Sequence, residues 1–168
     1  MLSLLATSLI AVAVPAADRA CPRGVIDQLD GLYRWQVQQM ENSDDPATAL
    51  SSQRQRFTPS LFKLLMEARQ LTPARDGRFI DFDVFSNTQV ATYGAKVKGC
   101  SAEKGNSIQA EVAVDVGLRG QSSGIPQRLL YELNRSNTGS WRINNITYLD
   151  GTVFQLRSFL QQLIEPTP

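Results

Sequence analysis

The sequence predicts an α+β domain, with N-terminal helices packed on a strongly bent antiparallel sheet and one more helix at the C-terminus. Three observations predict it. Apolar residues recur at three- and four-residue spacing through the first part of the chain. From Val90 the pattern changes to the two-residue alternation of strands. In the last strand segment that alternation breaks: Trp141 and Ile143 share one parity, Ile146 and Tyr148 the other, with Asn144 and Asn145 at the join. An extra residue at such a join makes a bulge, and a bulge bends and twists a strand. The sheet is therefore expected to curl into a cone around a helix.

The elements follow in order. Leu4 to Val14 is an apolar stretch too short to span a bilayer, which takes about 20 residues. Small residues around Ala16 and Ala17 offer a cleavage point, so residues 1–17 read as a secretory signal and 18–168 as one domain. Met1, Leu2 and Ser3 add no Lys or Arg, so only the terminal amine is positive there. The first helix runs from Val25 to Met40, with Leu29, Leu32, Tyr33, Gln36 and Val37 on its inward stripe. Asp45 and Pro46 start a short helical piece across Ala49 and Leu50. Thr58 caps a second full helix, Pro59 takes its first position, and Leu61, Leu64, Leu65 and Ala68 form its buried stripe. It ends near Leu71, Thr72 and Pro73, and Arg54 and Arg56 before it are expected in solvent.

Asp76 and Gly77 make a turn, and Phe79, Ile80, Phe82 and Phe85 mark the next stretch as packed. Ser86 to Gln89 is a polar loop. Strands follow over Val90–Cys100, Ser107–Leu118, Gln127–Arg135 and Trp141–Tyr148. After Asp150 and Gly151, Val153, Leu156, Leu160, Leu163 and Ile164 outline the final helix.

Composition narrows the chemistry. Seventeen basic and 16 acidic residues leave a net charge of +1, with no basic block interleaved with aromatics, so nucleic acid is not an expected partner. The chain has no His. That removes the usual general base and the commonest metal ligand, and no cofactor or metal is expected. Cys21 and Cys100 form an even pair, which in an oxidising compartment suggests a disulfide. Two unrelated thiols, with Cys100 a small buried residue, are the other reading.

Helices followed by a bent sheet whose last strand reads Trp141-Arg-Ile-x-x-Ile-x-Tyr148 resemble the nuclear-transport-factor-like superfamily, the cone-shaped fold also called cystatin-like. The stretch from Phe82 to Gln89 is similar to a bacterial envelope family of unknown function in which an Asp-Pro-Phe…Gln segment recurs, with Val84 here in the place of Pro. The resemblance implies a fold and an envelope location, and no reaction. The wider superfamily includes ketosteroid isomerase and polyketide cyclases, which work inside the cone, and many members that only bind.

The candidate site residues are few. Asp81 and Asp83, at i and i+2 on a strand, share one face, and two close carboxylates push one pKa up for acid–base work. With Asn87 and Gln89 they also offer oxygen ligands to a hard cation. Against both stands exposure on the wet side of a strand, or a capping role in the turn that follows. Tyr33, Tyr93 and Tyr131, with Trp35 and Tyr148, line a cone pocket or fill it as core. Arg142 and Arg128 either meet an anionic ligand or pair across the sheet with Glu111 or Glu132.

The reading that fits is a periplasmic or secreted, non-enzymatic binding domain using the cone pocket or sheet face for a small molecule or protein. The alternatives are an isomerase- or cyclase-like enzyme, with Asp81 or Asp83 as base and Tyr33 or Tyr131 as donor, and a module that binds a protein partner, including a second copy of itself.

Overall fold

Helix α1 (Arg23–Glu41) lies against one face of an antiparallel sheet, and its inward stripe explains why. Val25, Leu29, Leu32 and Tyr33 are buried in the core, and Gln36 is buried with them. The computed structural model describes residues 20–41, 46–103, 105–118 and 120–165. The expected signal at 1–17 and the expected cap at Asp45 lie outside the described residues.

Helix α2 (Pro46–Ser51) and a 3-10 turn (Arg54–Arg56) lead to α3 (Pro59–Arg69). The start of α3 is as its sequence dictates: the Thr58 side chain accepts from Leu61 N–H, and Pro59 opens the first turn. Leu61, Leu65 and Ala68 are its buried stripe. A second Thr-Pro pair, Thr72 and Pro73, starts a four-residue turn of helix, α4 (Pro73–Asp76), where only an ending was expected. Gly77 closes it in the left-handed conformation.

The sheet comprises β1 (Ala91–Ala102), β2 (Ser107–Leu118), β3 (Gln121–Ser122), β4 (Gln127–Arg135), β5 (Trp141–Tyr148) and β6 (Phe154–Gln155). Its order is β1-β2-β4-β5-β6, with β3 hooked onto β2. That hook crowds Gly117, where a Cβ would stand 1.9 Å from the Gln121 carbonyl oxygen. β6 is a small departure from expectation. Phe154 pairs back onto Tyr148 before α5 (Leu156–Ile164) begins, so Val153 is exposed rather than helical. Leu156, Leu160 and Leu163 bury the inner face of α5.

The bulge is where the parity break put it. Glu132 pairs with Asn145 and Leu133 with Ile143, which leaves Asn144 as the extra residue. β1 has two further shifts, at Tyr93 and at Lys98. Between them these irregularities let Val112, Tyr131, Ile143, Ile146 and Tyr148 converge on one buried face.

The Cys21–Cys100 disulfide is formed, with a Cα–Cα distance of 5.0 Å, and joins the start of α1 to β1. One expectation about exposure changes. Arg56 is not in bulk solvent: its guanidinium donates to the Gln28 carbonyl and to Gln53 Oε1, and it presses on Gly31, where a Cβ would stand 2.5 Å from it. Burial, then the nearby Arg34, lowers its pKa. Trp141 is half-buried, resting on Gly24 with Arg135 over its ring.

Candidate functional site

The space against the sheet is filled by the chain itself. Val84, Phe85 and Ser86 are buried to 1% exposure or less. Phe82 wedges beside them among Tyr148, Phe154 and Phe159, with ring centroids 5.3 to 6.1 Å away. These residues are not a strand, which corrects the expectation for Asp81 and Asp83. They form a closed turn: Asp83 N–H donates to the Thr88 carbonyl, and the Asp83 carbonyl accepts from Ser86 and Asn87 N–H. Asn87 takes a left-handed φ of 57°, a conformation Asn tolerates better than most residues. The turn wins over the strand because the Asp83 side chain accepts from Phe85 N–H at 2.8 Å, an Asx-type bond that competes with sheet pairing.

Buried tyrosines hold this turn in place. Tyr33 Oη donates to the Phe85 carbonyl at 2.8 Å, and Tyr148 Oη donates to the Val84 carbonyl at 2.9 Å. Tyr131 Oη shares a hydrogen bond with Tyr33 Oη at 2.8 Å. Burial drives all three hydroxyls well above their ordinary pKa. Tyr33 and Tyr131 are thus packed core rather than walls of an open cone, and their hydroxyls are committed to the chain's own carbonyls and to each other. Of the other two residues expected to bind, Tyr93 lines a hollow that Tyr33 also lines, and Arg142 lies apart. Tyr93, 36% exposed, stands at a bulge of β1 beside α1. Arg142 stands opposite Asn134 in the strand register, on the other face of the sheet from Tyr131, and its Nε finds no hydrogen-bond partner among the described residues, while Arg128 forms an ion pair with Asp150 rather than with Glu111 or Glu132.

One carboxylate does face a cleft. Asp83 lines a hollow of about 220 Å³ with Trp35, Gln36 and Met40 of α1, Arg69 of α3, and Phe82. Gln36 Nε2 donates to the second carboxylate oxygen of Asp83, which explains an amide on an otherwise apolar stripe. Asp83 has only partial contact with solvent, and that burial raises its pKa from the ordinary 3.8. Phe85 N–H, the Arg69 charge and Gln36 offset part of the effect. Asp81 is exposed, its carbonyl accepting from Gln89 Nε2 at 2.9 Å. The pair therefore does not act as one site. Among the described residues no group of three or more acidic or Cys side chains is placed to hold a metal.

Sequence reasoning missed Gln36, Met40, Arg69 and Phe82 as neighbours of Asp83. Gln36 alone left a signal, a polar residue on a buried stripe that must find a partner. Comparison with family profiles, with curated proteins and with solved structures found no match.

Proposed function

We propose that the protein is an exported, non-enzymatic binding domain, and that the cleft beside Asp83 holds a small amphipathic ligand with a hydrogen-bond donor at its head. The observation that carries this reading is the Asp83 carboxylate. It is partly withdrawn from water and lines a cleft whose other walls include Trp35, Met40, Arg69 and Phe82. Among the described residues Phe85 N–H donates to one of its oxygens and Gln36 to the other, and a carboxylate oxygen accepts more than one bond. A donor on the ligand would recover solvation that the group loses on burial. Export is supported by the disulfide, by the apolar leader, and by the lack of any helix among the described residues long and apolar enough to cross a membrane. The nuclear-transport-factor-like relationship is part of the same proposal, supported by helices on one face of a bulged antiparallel sheet.

The test uses Trp35 as reporter in a Trp141→Phe background, since the chain has two Trp. n-Butylammonium should change Trp35 fluorescence saturably, and Asp83→Asn should weaken its binding about tenfold, the scale of one charge-assisted hydrogen bond. No saturable response from n-butylammonium or from butanamide would end the proposal.

The burial of the same carboxylate favours a second reading, proton abstraction by Asp83 as general base, because a raised pKa brings a carboxylate nearer the working range of a base. Tyr33 and Tyr131 are not available as its partners. Turnover of an enolisable ketone abolished by Asp83→Asn, with the fold intact, would replace binding by catalysis.

A further inference from the structure

Among the described residues β1 pairs on one side only, with β2. Beside it runs a channel between the strand and α1. One part, about 520 Å³, lies between Asp30, Arg34 and Val37 of the helix and Tyr93 to Ala95 of the strand. A second part, about 390 Å³, continues along Ala95 to Gly99 below Ile26 and Asp30. The two hollows share Asp30 and Ala95 and follow one another along β1. The helix already meets this strand at one backbone group, where Thr92 N–H donates to Met40 Sδ at 3.0 Å. No heavy atom lies within 4 Å of where a Cβ on Gly94 would stand, so the sheet face at this position is uncrowded.

We propose that this channel takes an extended acidic peptide, which adds to β1 as a further strand. An unpaired strand edge offers backbone donors and acceptors to such a segment, and flanking side chains supply the selectivity. The regular stretch is short, Gly94 to Val97, because Tyr93 and Lys98 are bulged. Charge then decides the partner. Arg34, Lys96 and Lys98 are exposed around the channel, and Asp30 is the one carboxylate among its lining residues. Tyr93, 36% exposed, offers a ring to an apolar side chain of the peptide. The same lysines and bulges work against a second copy of the chain, since two such edges would bring like charges together.

The test is a fluorescence-anisotropy titration of the full, disulfide-bonded chain with labelled peptides of about ten residues. One alternates Glu and Val, one alternates Lys and Val, and one is the Glu-Val peptide with N-methylated amides. The Glu-Val peptide should bind saturably, at least about tenfold tighter than either of the others, and more weakly as salt rises. Lys96→Glu with Lys98→Glu, its fold checked by circular dichroism, should invert the preference between Glu-Val and Lys-Val. Three results would overturn the proposal: no saturation with Glu-Val, equal binding of the N-methylated peptide, or a concentration-dependent dimer that the Glu-Val peptide fails to dissolve.

Discussion

The two edges of the sheet are finished in different ways. Along β5, Thr58 N–H donates to the Ile143 carbonyl at 2.9 Å, Arg157 Nε donates to the Asn144 carbonyl at 2.7 Å, and β6 pairs with Thr147 and Tyr148. Backbone groups from Ile143 to Tyr148 thus find partners in the 57–58 connection, in α5 and in β6. The Arg157 guanidinium extends the clasp to Ser60 Oγ and Asn144 Oδ1, both at 2.8 Å. At β1 the device is covalent: Cys100 is tied to Cys21. A hydrogen-bonded cover uses up the edge it protects. A disulfide fixes a strand in place without using its backbone groups, and of those on β1 Thr92 N–H is taken by Met40 Sδ of α1 at 3.0 Å.

The largest effect should come from the covalent side. Replacing Cys21 and Cys100 by Ala together releases a closure of 79 residues, and loop entropy sets the loss at roughly 4–5 kcal/mol. Urea unfolding should record it, and amide exchange should show lost protection in β1 before β5. Equal loss in both strands would mean that the two edges are not independent. Next comes the polar clasp. Arg157→Ala strands the Asn144 carbonyl and takes one donor each from Thr58 Oγ1 and the exposed Ser60 Oγ, and should cost about 1–2 kcal/mol. Arg157→Lys should recover only a small part, because one ammonium does not reproduce a planar fork of donors.

Trp141→Ala tests the free end of β5. The half-buried ring, resting on Gly24 under Arg135, should be worth about 1–2 kcal/mol rather than the larger cost of a core aromatic. The finest test is pH. Asp83 has its folded pKa above its unfolded one, so between the two values the native state binds the extra proton. Unfolding free energy therefore falls as pH rises across that window, and the penalty persists above it. Asp83→Asn, with Gln36 turned to accept from the new amide, should remove the penalty. The variant should gain on the wild type above the window and lose that gain below the ordinary carboxylate pKa. A difference independent of pH would mean that Asp83 is not strained by burial.

Local and periodic features were legible in the chain. The stripes of α1 and α3, the Thr58 cap and the bulge at Asn144 each rest on neighbours a few residues apart. The candidate site was half legible. Asp83 stood out as a carboxylate among Phe residues, but its strand was read where a turn formed, because the Phe85 N–H bond is a competition between two local options. Gln36 to Asp83 and Arg157 to Asn144 span 47 and 13 residues, and no spacing rule reaches that far. Nor does periodicity say that Val84 and Phe85 would occupy the space that the tyrosines and an expected cone were to leave open. The tyrosine hydroxyls needed acceptors, and the nearest were the carbonyls of the turn.

The extra residue in β5 separates two properties that strands normally inherit together. Ile143 lies inward, Asn145 pairs on the outer side, and Ile146 and Tyr148 lie inward again. Removing Asn144 would leave that inside–outside order untouched and take away the bulge. This irregularity, one of three among the described residues of the sheet, is thus carried by a single codon, and could be gained or lost without rewriting a single core residue.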